Sequence, residues 1–218
     1  PHVESEAFAN LESIARLKAS QIEHWLDERR ADAMVLASGN TEFVRAVGEL
    51  ASGKATAEEQ AYVKGKLENL RLNYHYDAML ILDAEAGLLL AEGSSQAVSD
   101  PLVTVVKHVQ VSGMVQHTDL YKDRSDKIFI DWVVPIFSVA PDKQGVVAVV
   151  VLRSSPEAFL YPLIQSWPTA SETAETMLVK RDGDAVLYLN ELKSIKGTAL
   201  TMHLPISSPE LPAAIALR

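Results

Sequence analysis

The sequence contains no cysteine, which excludes a disulfide framework, thiol catalysis and cysteine-ligated metal sites. It also lacks any run of basic residues, and its net charge is −9 at pH 7. Nucleic-acid binding draws its affinity from clustered Lys and Arg, so we expect no nucleic-acid partner. No apolar run reaches the roughly 18 residues that a membrane span needs, and no signal peptide opens the chain. With 48% hydrophobic residues the chain has ample material for a core, and we expect it to be soluble as given. Neither Pro1 nor Arg218 stands at a cap or a finished element, so we expect a piece of a longer protein.

Motifs for catalysis and for metal binding are also absent from the sequence. There is no GxSxG, no P-loop and no dinucleotide fingerprint. The histidines show no HxxxH or HExxH spacing. We therefore predict a non-catalytic chain with no cofactor and no metal site.

The first third of the chain is predicted to be helical. Apolar residues recur at helical spacing from Ser5 to about Ala37 with no Gly or Pro, which predicts one long helix of roughly 50 Å at 1.5 Å per residue. A short helix is expected at Thr41–Leu50, capped by Asn40 or Thr41. Thr56 with Glu59 three residues later forms a capping box and predicts a third helix to about Asn73.

The centre of the sequence is a predicted hairpin of two apolar runs. Ile128 to Phe137 and Val146 to Leu152 are rich in β-branched and aromatic residues and flank a loop at residues 141–145. Both alternating faces of each run are mostly apolar. We therefore expect these strands in the middle of a sheet that is covered on both sides.

Weaker patterns fill the space around this hairpin. They predict a strand pair at Ala78–Leu82 and Leu88–Ala91, and a helix from Asp100 to Val111 with Asp100 as its cap. Met114–Tyr121 alternates weakly, as a strand would. A further helix is expected from Pro156 to about Ser166.

A second hairpin, turning at Asp182 and Gly183, repeats the first strand pair about a hundred residues later. TMLVKRDGDAVLYLNE aligns with AMLILDAEAGLLLAEG, and each follows a predicted helix. No counterpart of the central hairpin follows the second copy. The fold class is therefore predicted as α+β, with a long N-terminal helix and two antiparallel-sheet units, the second incomplete.

This order of elements resembles the double Cache (tandem PDC, PAS-like) sensor domain of bacterial transmembrane histidine kinases, diguanylate cyclases and chemoreceptors. LESIARLKASQIEHWLDERRADAMVLA is similar to the juxtamembrane helix of such receptors. The resemblance implies N-terminal helices at residues 1–50, a membrane-distal ligand-binding domain at 51–155 and a partial membrane-proximal domain at 156–218. It also implies a periplasmic or extracellular location, a small-molecule ligand, and a homodimer along the long helix. The alternative is a ligandless dimerisation or protein-docking module.

One candidate ligand motif is implied by the same resemblance. The amino-acid-binding branch carries a motif similar to TxPYxD, whose Asp receives the ligand ammonium. Thr118, Tyr121 and Asp123 stand at the matching spacing, with Leu120 in place of Pro. A phenol can supply an apolar wall and a hydrogen bond, and a carboxylate at a pocket rim can bind a cation.

The companion part of that motif, an Arg in the preceding helix, is missing, since residues 100–113 offer only Lys107 and His108. Capture of a ligand carboxylate by two hydrogen bonds from Arg is therefore unsupported. The alternative interpretation of residues 123–126 is a plain turn. His117, on the strand leading to Tyr121, is a further candidate for the pocket.

Asp131 is the one charge within the central apolar run. An unpaired buried carboxylate would cost several kcal/mol, so Asp131 needs a partner. A register that places Phe137 opposite Val147 would put Asp131 opposite Arg153 as a cross-strand pair. The alternative partner is a cationic or hydroxylated ligand, and the sequence leaves both open.

Overall fold

The computed structural model describes residues 2–38, 40–139, 145–167 and 174–218. Within these ranges the chain has the predicted α+β class, with helices and antiparallel sheets. It divides into two compact units, one made of residues 26–155 and the other of residues 1–25 and 156–218. The helices and strands, in chain order, are α1 His2–Ser38, α2 Thr41–Ala51, α3 Ala57–Tyr74, β1 Ala78–Asp83, β2 Leu88–Gly93, α4 Asp100–Ser112, β3 Gln116–His117, β4 Tyr121–Lys122, β5 Ile128–Phe137, β6 Val146–Ser154, α5 Leu160–Gln165, β7 Val179–Asp182, β8 Ala185–Tyr188, β9 His203–Pro205 and α6 Pro212–Leu217.

The three N-terminal helices form where the sequence predicts them. The Asn40 side chain caps α2 by accepting a hydrogen bond from the Phe43 N–H at 3.1 Å. Thr56 and Glu59 form the predicted capping box at the start of α3. In the described residues, no helix combines the length and hydrophobicity needed to cross a membrane.

The larger unit is built on a six-stranded sheet. Its order is β2-β1-β6-β5-β3, and β4 pairs with β5 beyond the end of β3. The two strands of the predicted central hairpin, β5 and β6, indeed lie inside the sheet, although the loop at residues 140–144 lies outside the described residues. Side chains of α1, α2 and α3 pack on one face of the sheet, and side chains of α4 pack on the other. Burial on both faces explains why most residues of these two strands are apolar.

Two local predictions around α4 are wrong. The N-cap of α4 is Ser99 rather than Asp100, which already belongs to the first turn of the helix. Met114–Tyr121 is not one strand but two short ones, β3 and β4, separated by residues 118–120. Between them the Thr118 hydroxyl accepts the hydrogen bond of the Asp131 N–H at 3.0 Å. A side chain thus takes the place of a backbone acceptor, which interrupts the strand.

The smaller unit contains the repeated hairpin. Asp182 pairs with Ala185, so the two turn residues are Gly183 and Asp184, one position after the predicted turn at Asp182 and Gly183. Gly183 has the positive φ of 58° that such a turn requires. The sheet has the order β7-β8-β9.

In the same unit, α5 is shorter than the predicted helix from Pro156 to Ser166. Residues 156–159 form a turn, and Phe159 has a backbone ψ of −54° with a φ of −140°, outside the helical region. The Phe159 ring stacks on Trp25 of α1 with ring centroids 5.8 Å apart.

Candidate functional site

A buried ion pair lies at the middle of the larger sheet. The register of β5 and β6 places Asp131 directly opposite Arg153, which is one of the two alternatives that the sequence leaves open, although a bulge pairs Phe137 with Val146 rather than Val147. Arg153 Nε donates to Asp131 Oδ1 and Arg153 Nη2 donates to Asp131 Oδ2, both at 2.8 Å. Both side chains have an exposed fraction of 0%. Arg153 is therefore the partner of Asp131 in the structure.

The pair occupies the α4 face of the sheet. Arg153 follows Val149 and Val151 in the alternation along β6, and both valines belong to the core beneath α4. Burial alone would lower the pKa of Arg153, but the hydrogen bonds and the charge of Asp131 outweigh it and raise that pKa. The guanidinium also lies over the Phe129 ring, 5.3 Å from its centroid.

Tyr121 completes the polar cluster from β4. Its hydroxyl donates to Asp131 Oδ2 at 2.5 Å, and its side chain is buried. Burial raises the pKa of Tyr121, and the neighbouring Asp131 carboxylate raises it further. The three side chains, here called the Arg153 cluster, thus bring together residues from β4, β5 and β6.

Arg153 also holds the loop between β2 and α4. Its Nη1 donates to the backbone carbonyls of Ser95 at 3.0 Å and Ala97 at 2.9 Å. No residue pattern predicts this contact, because every residue has a backbone carbonyl that can accept a hydrogen bond. Through one side chain, the sheet therefore fixes the loop that leads into α4.

Asp123 joins the same loop from the other side and also forms a turn. Its Oδ2 accepts from the Ser95 hydroxyl at 3.1 Å, while its Oδ1 accepts from the N–H groups of Ser125 at 2.9 Å and Lys127 at 3.0 Å. Partial burial would raise the pKa of Asp123, but these hydrogen bonds outweigh it and lower the pKa. Residues 123–126 thus form the turn that the alternative interpretation predicts.

A cavity of about 430 Å³ opens between the two segments that Asp123 and Arg153 hold. Residues 97–101 and 122–124 line it, and we call it the loop cavity. Lys122 and Arg124 contribute positive charge to its wall, and Asp100 and Asp123 contribute negative charge. Such a wall can bind a small molecule that carries both signs of charge.

Comparison with known proteins places this geometry in context. No protein-family model matches the chain, and no curated protein does. Among solved structures, the chain is similar to the ligand-binding domain of the Pseudomonas aeruginosa amino-acid chemoreceptor PctC in complex with GABA, with a TM-score of 0.54, 18% identity, and coverage of 88% of this chain and 76% of the other. It is also similar to the ligand-binding domain of the Pseudomonas fluorescens chemoreceptor CtaA in complex with L-serine, with a TM-score of 0.50, 18% identity, and coverage of 85% and 71%.

A third similar structure is the sensor domain of the Vibrio cholerae histidine kinase DctB, with a TM-score of 0.50 and 14% identity. The chain has a Cache-like fold. The match covers 71% of this chain, and the chain spans 56% of the length of the DctB sensor domain. At these identities the similarity concerns the fold alone, and the chemistry of the loop cavity depends on the residues of this chain.

Two other candidate residues of the Cache-like domain lie apart from the loop cavity. Thr118 is buried and contacts the Asp131 backbone rather than the cluster side chains, since its N–H donates to the Asp131 carbonyl at 2.9 Å. His117 is exposed and packs its ring against Trp132, whose side chain belongs to the opposite core, at 4.7 Å between centroids. Among the residues that the structure describes, no three His, Asp or Glu side chains are close enough together to hold a metal ion.

Proposed function

We propose that this chain is the non-catalytic, extracytoplasmic ligand-sensing part of a transmembrane signalling receptor, and that the loop cavity binds a small polar metabolite. The observation that carries the proposal is the position of this cavity. Its two walls are residues 97–101 and 122–124, and hydrogen bonds of Asp123 and Arg153 to Ser95 hold these segments in place. A ligand between them would change the same contacts that hold the loop in place.

The charges on the cavity wall favour a ligand that carries an ammonium and a carboxylate. Asp123 would receive the ammonium, and Arg124 and Lys122 would face the carboxylate. The ligands named for the two similar chemoreceptor domains, GABA and L-serine, have these two groups. For Asp131 and Arg153 to contact the ligand directly, their two hydrogen bonds would have to open, so we assign them, with Tyr121, to holding the loop.

The sheet offers a route from the cavity to the long helix. Leu152 and Arg153 are consecutive in β6 and face opposite sides, and Leu152 packs in the core that includes Ala33 of α1. A shift of β6 on ligand binding would therefore move side chains that contact α1. A stiff helix is suited to carry such a displacement to a distant output.

Within this proposal, residues 51–155 form the membrane-distal ligand-binding domain and residues 156–218 part of a membrane-proximal domain. The full-length receptor would supply the membrane spans and an output domain such as a kinase or cyclase. Expression of the gene with an N-terminal or C-terminal reporter would test the periplasmic location of this segment.

A thermal-shift panel of α- and ω-amino acids, amines and dicarboxylates tests the ligand. A ligand at a hundredfold excess over its Kd stabilises the folded state by about 2.7 kcal/mol, which is readily detected. Asp123→Asn keeps an acceptor for the turn but removes the charge, so we expect about a tenfold or greater loss of affinity for an amino compound. Asp184→Asn, the same chemical change at an exposed residue between β7 and β8, is the matched control and should bind normally.

The alternative function, a ligandless dimerisation module, has its own supporting observation. Phe8 and Leu11 of α1 have exposed fractions of 73% and 51% and lie three residues apart, on one side of the helix. Sedimentation velocity of wild type and Phe8→Asp tests the homodimer. Loss of the dimer in the variant, together with no response to any compound in the panel, would favour this alternative over ligand sensing.

A further inference from the structure

A second cavity lies in the same unit, on the face of the sheet opposite the Arg153 cluster. Its volume is about 250 Å³, and it is bounded by the end of α1, the start of α2, the last turns of α3, and strands β1 and β6. We call it the helix-side cavity. Its sheet wall is formed by Met79 and Leu152, which alternate with Ala78 and Arg153 along their strands. The two cavities are therefore separated by the thickness of the sheet.

The helix-side cavity opens at the protein surface beside Val35, and most of its wall is apolar. An apolar cavity of about 150 Å³ already admits benzene. A cavity of about 250 Å³ with walls such as Phe43, Leu70 and Leu152 has room for a single aromatic ring with substituents.

Asp32 is the one carboxylate among the residues that line this cavity, and the other polar lining residues are Asn40, Lys66, Tyr74 and Tyr76. Asp32 Oδ2 lies 3.2 Å from Arg29 Nη2 and accepts from the Tyr76 hydroxyl at a long 3.4 Å. The Arg29 guanidinium also lies over the Tyr76 ring, 5.7 Å from its centroid. Asp32 Oδ1 accepts no hydrogen bond from the residues that the structure describes, so one acceptor remains available at the cavity wall.

This arrangement selects the chemistry of a ligand. Because Arg29 already compensates the Asp32 charge, an additional ammonium would meet a cation as well as an anion. A neutral hydroxyl can donate to the free oxygen without that repulsion. We propose that the helix-side cavity is a second small-molecule site, for a neutral, single-ring aromatic compound that carries a hydroxyl group.

Such a ligand would contact α1 directly. Asp32, Val35 and Leu36 of the long helix form one wall of the cavity, whereas residues of α1 are not among those that line the loop cavity. This site does not depend on the function proposed for the loop cavity, and the two can be tested separately.

Ligand-observed ¹⁹F NMR with 4-fluorophenol tests the site, with 4-fluorotoluene and 4-fluorobenzylamine as comparison probes. We expect 4-fluorophenol to bind with a Kd below about 1 mM and each comparison probe to bind at least about threefold more weakly. An absence of 4-fluorophenol line broadening at about 1 mM, or equal binding of all three probes, would overturn the proposal.

Substitutions at the helix-side cavity test whether 4-fluorophenol binds there. Val35 is 69% exposed at the cavity rim, so Val35→Trp can cover the opening without entering the core, and we expect it to weaken 4-fluorophenol binding by about tenfold or more. Leu17→Trp, at a 51% exposed position of the same helix, is the matched control and should bind within about twofold of wild type. Leu70→Phe narrows the cavity from α3 and should also weaken binding. Unchanged binding in both filling variants would exclude this cavity as the site.

Discussion

The enclosed pair of Asp131 and Arg153 leads to a sharp prediction about stability. We expect Asp131→Asn and Arg153→Met each to lower the free energy of unfolding by about 3–5 kcal/mol, because each leaves a buried group without its charged partner. Arg153→Met also deprives the carbonyls of Ser95 and Ala97 of their donor. An unsatisfied buried acceptor costs about 1–3 kcal/mol, so the Arg153 change should be the more damaging of the two.

The double variant measures the coupling between the two side chains. Once one charge is absent, removal of the other no longer leaves an unpaired ion. We therefore expect the double variant to lose about 2–3 kcal/mol less than the sum of the single variants. The matched control is Asp126→Asn, which makes the same chemical change in a carboxylate that is 82% exposed and should cost at most about 1 kcal/mol.

Urea-induced unfolding followed by far-UV circular dichroism gives the four free energies, and equal m-values confirm that the same surface unfolds in each protein. Additivity of the two single changes within about 0.5 kcal/mol would refute the account of a mutually dependent buried pair. A cost for Asp131→Asn no larger than that of Asp126→Asn would refute it equally.

Two further predictions concern Tyr121 and Gly93. Because burial raises the pKa of Tyr121, its stabilising contribution is complete below pH 10 and declines as the pH rises above 10. In urea unfolding, the difference in the free energy of unfolding between wild type and Tyr121→Phe should therefore narrow by about 1.4 kcal/mol for each pH unit above 10. A difference that stays constant with pH would contradict this prediction. Gly93 has a φ of 107°, and an added Cβ would lie 2.2 Å from the Asp77 carbonyl oxygen, so Gly93→Ala should cost about 2–5 kcal/mol in thermal or urea unfolding. Gly145 has a φ of 109°, and no atom lies within 4 Å of an added Cβ, so Gly145→Ala should lower the free energy of unfolding only by the cost of the backbone conformation. If Gly93→Ala and Gly145→Ala lower it equally, the close contact at Gly93 is relieved in the variant.

Local rules were enough to predict the elements whose residues specify them directly. Thr56 and Glu59 mark the start of α3 because the capping box needs those two side chains at that spacing. The need of Asp131 for a partner could also be predicted, since an isolated charge in an apolar strand requires one, but the choice between Arg153 and a ligand needed the register of the two strands.

The features that were missed depend on contacts between distant parts of the chain. Met114–Tyr121 reads as one strand, but the Thr118 hydroxyl takes a backbone N–H of β5 and divides it. The loop at Ser95 and Ala97 is held by Arg153 through carbonyl groups, which every residue has. The helix-side cavity arises from the way three helices meet over the sheet, and no sequence pattern specifies a space that side chains leave open.

The double contact of Arg153 has a consequence for how this protein can change over evolutionary time. Substitution of Asp131 by an uncharged residue requires a compensating substitution of Arg153, because either change alone leaves a buried charge without its partner. Related sequences should therefore replace these two positions together, although they are 22 residues apart. Joint replacement by apolar residues would identify relatives in which the loop from β2 to α4 is released from the sheet and free to take another shape.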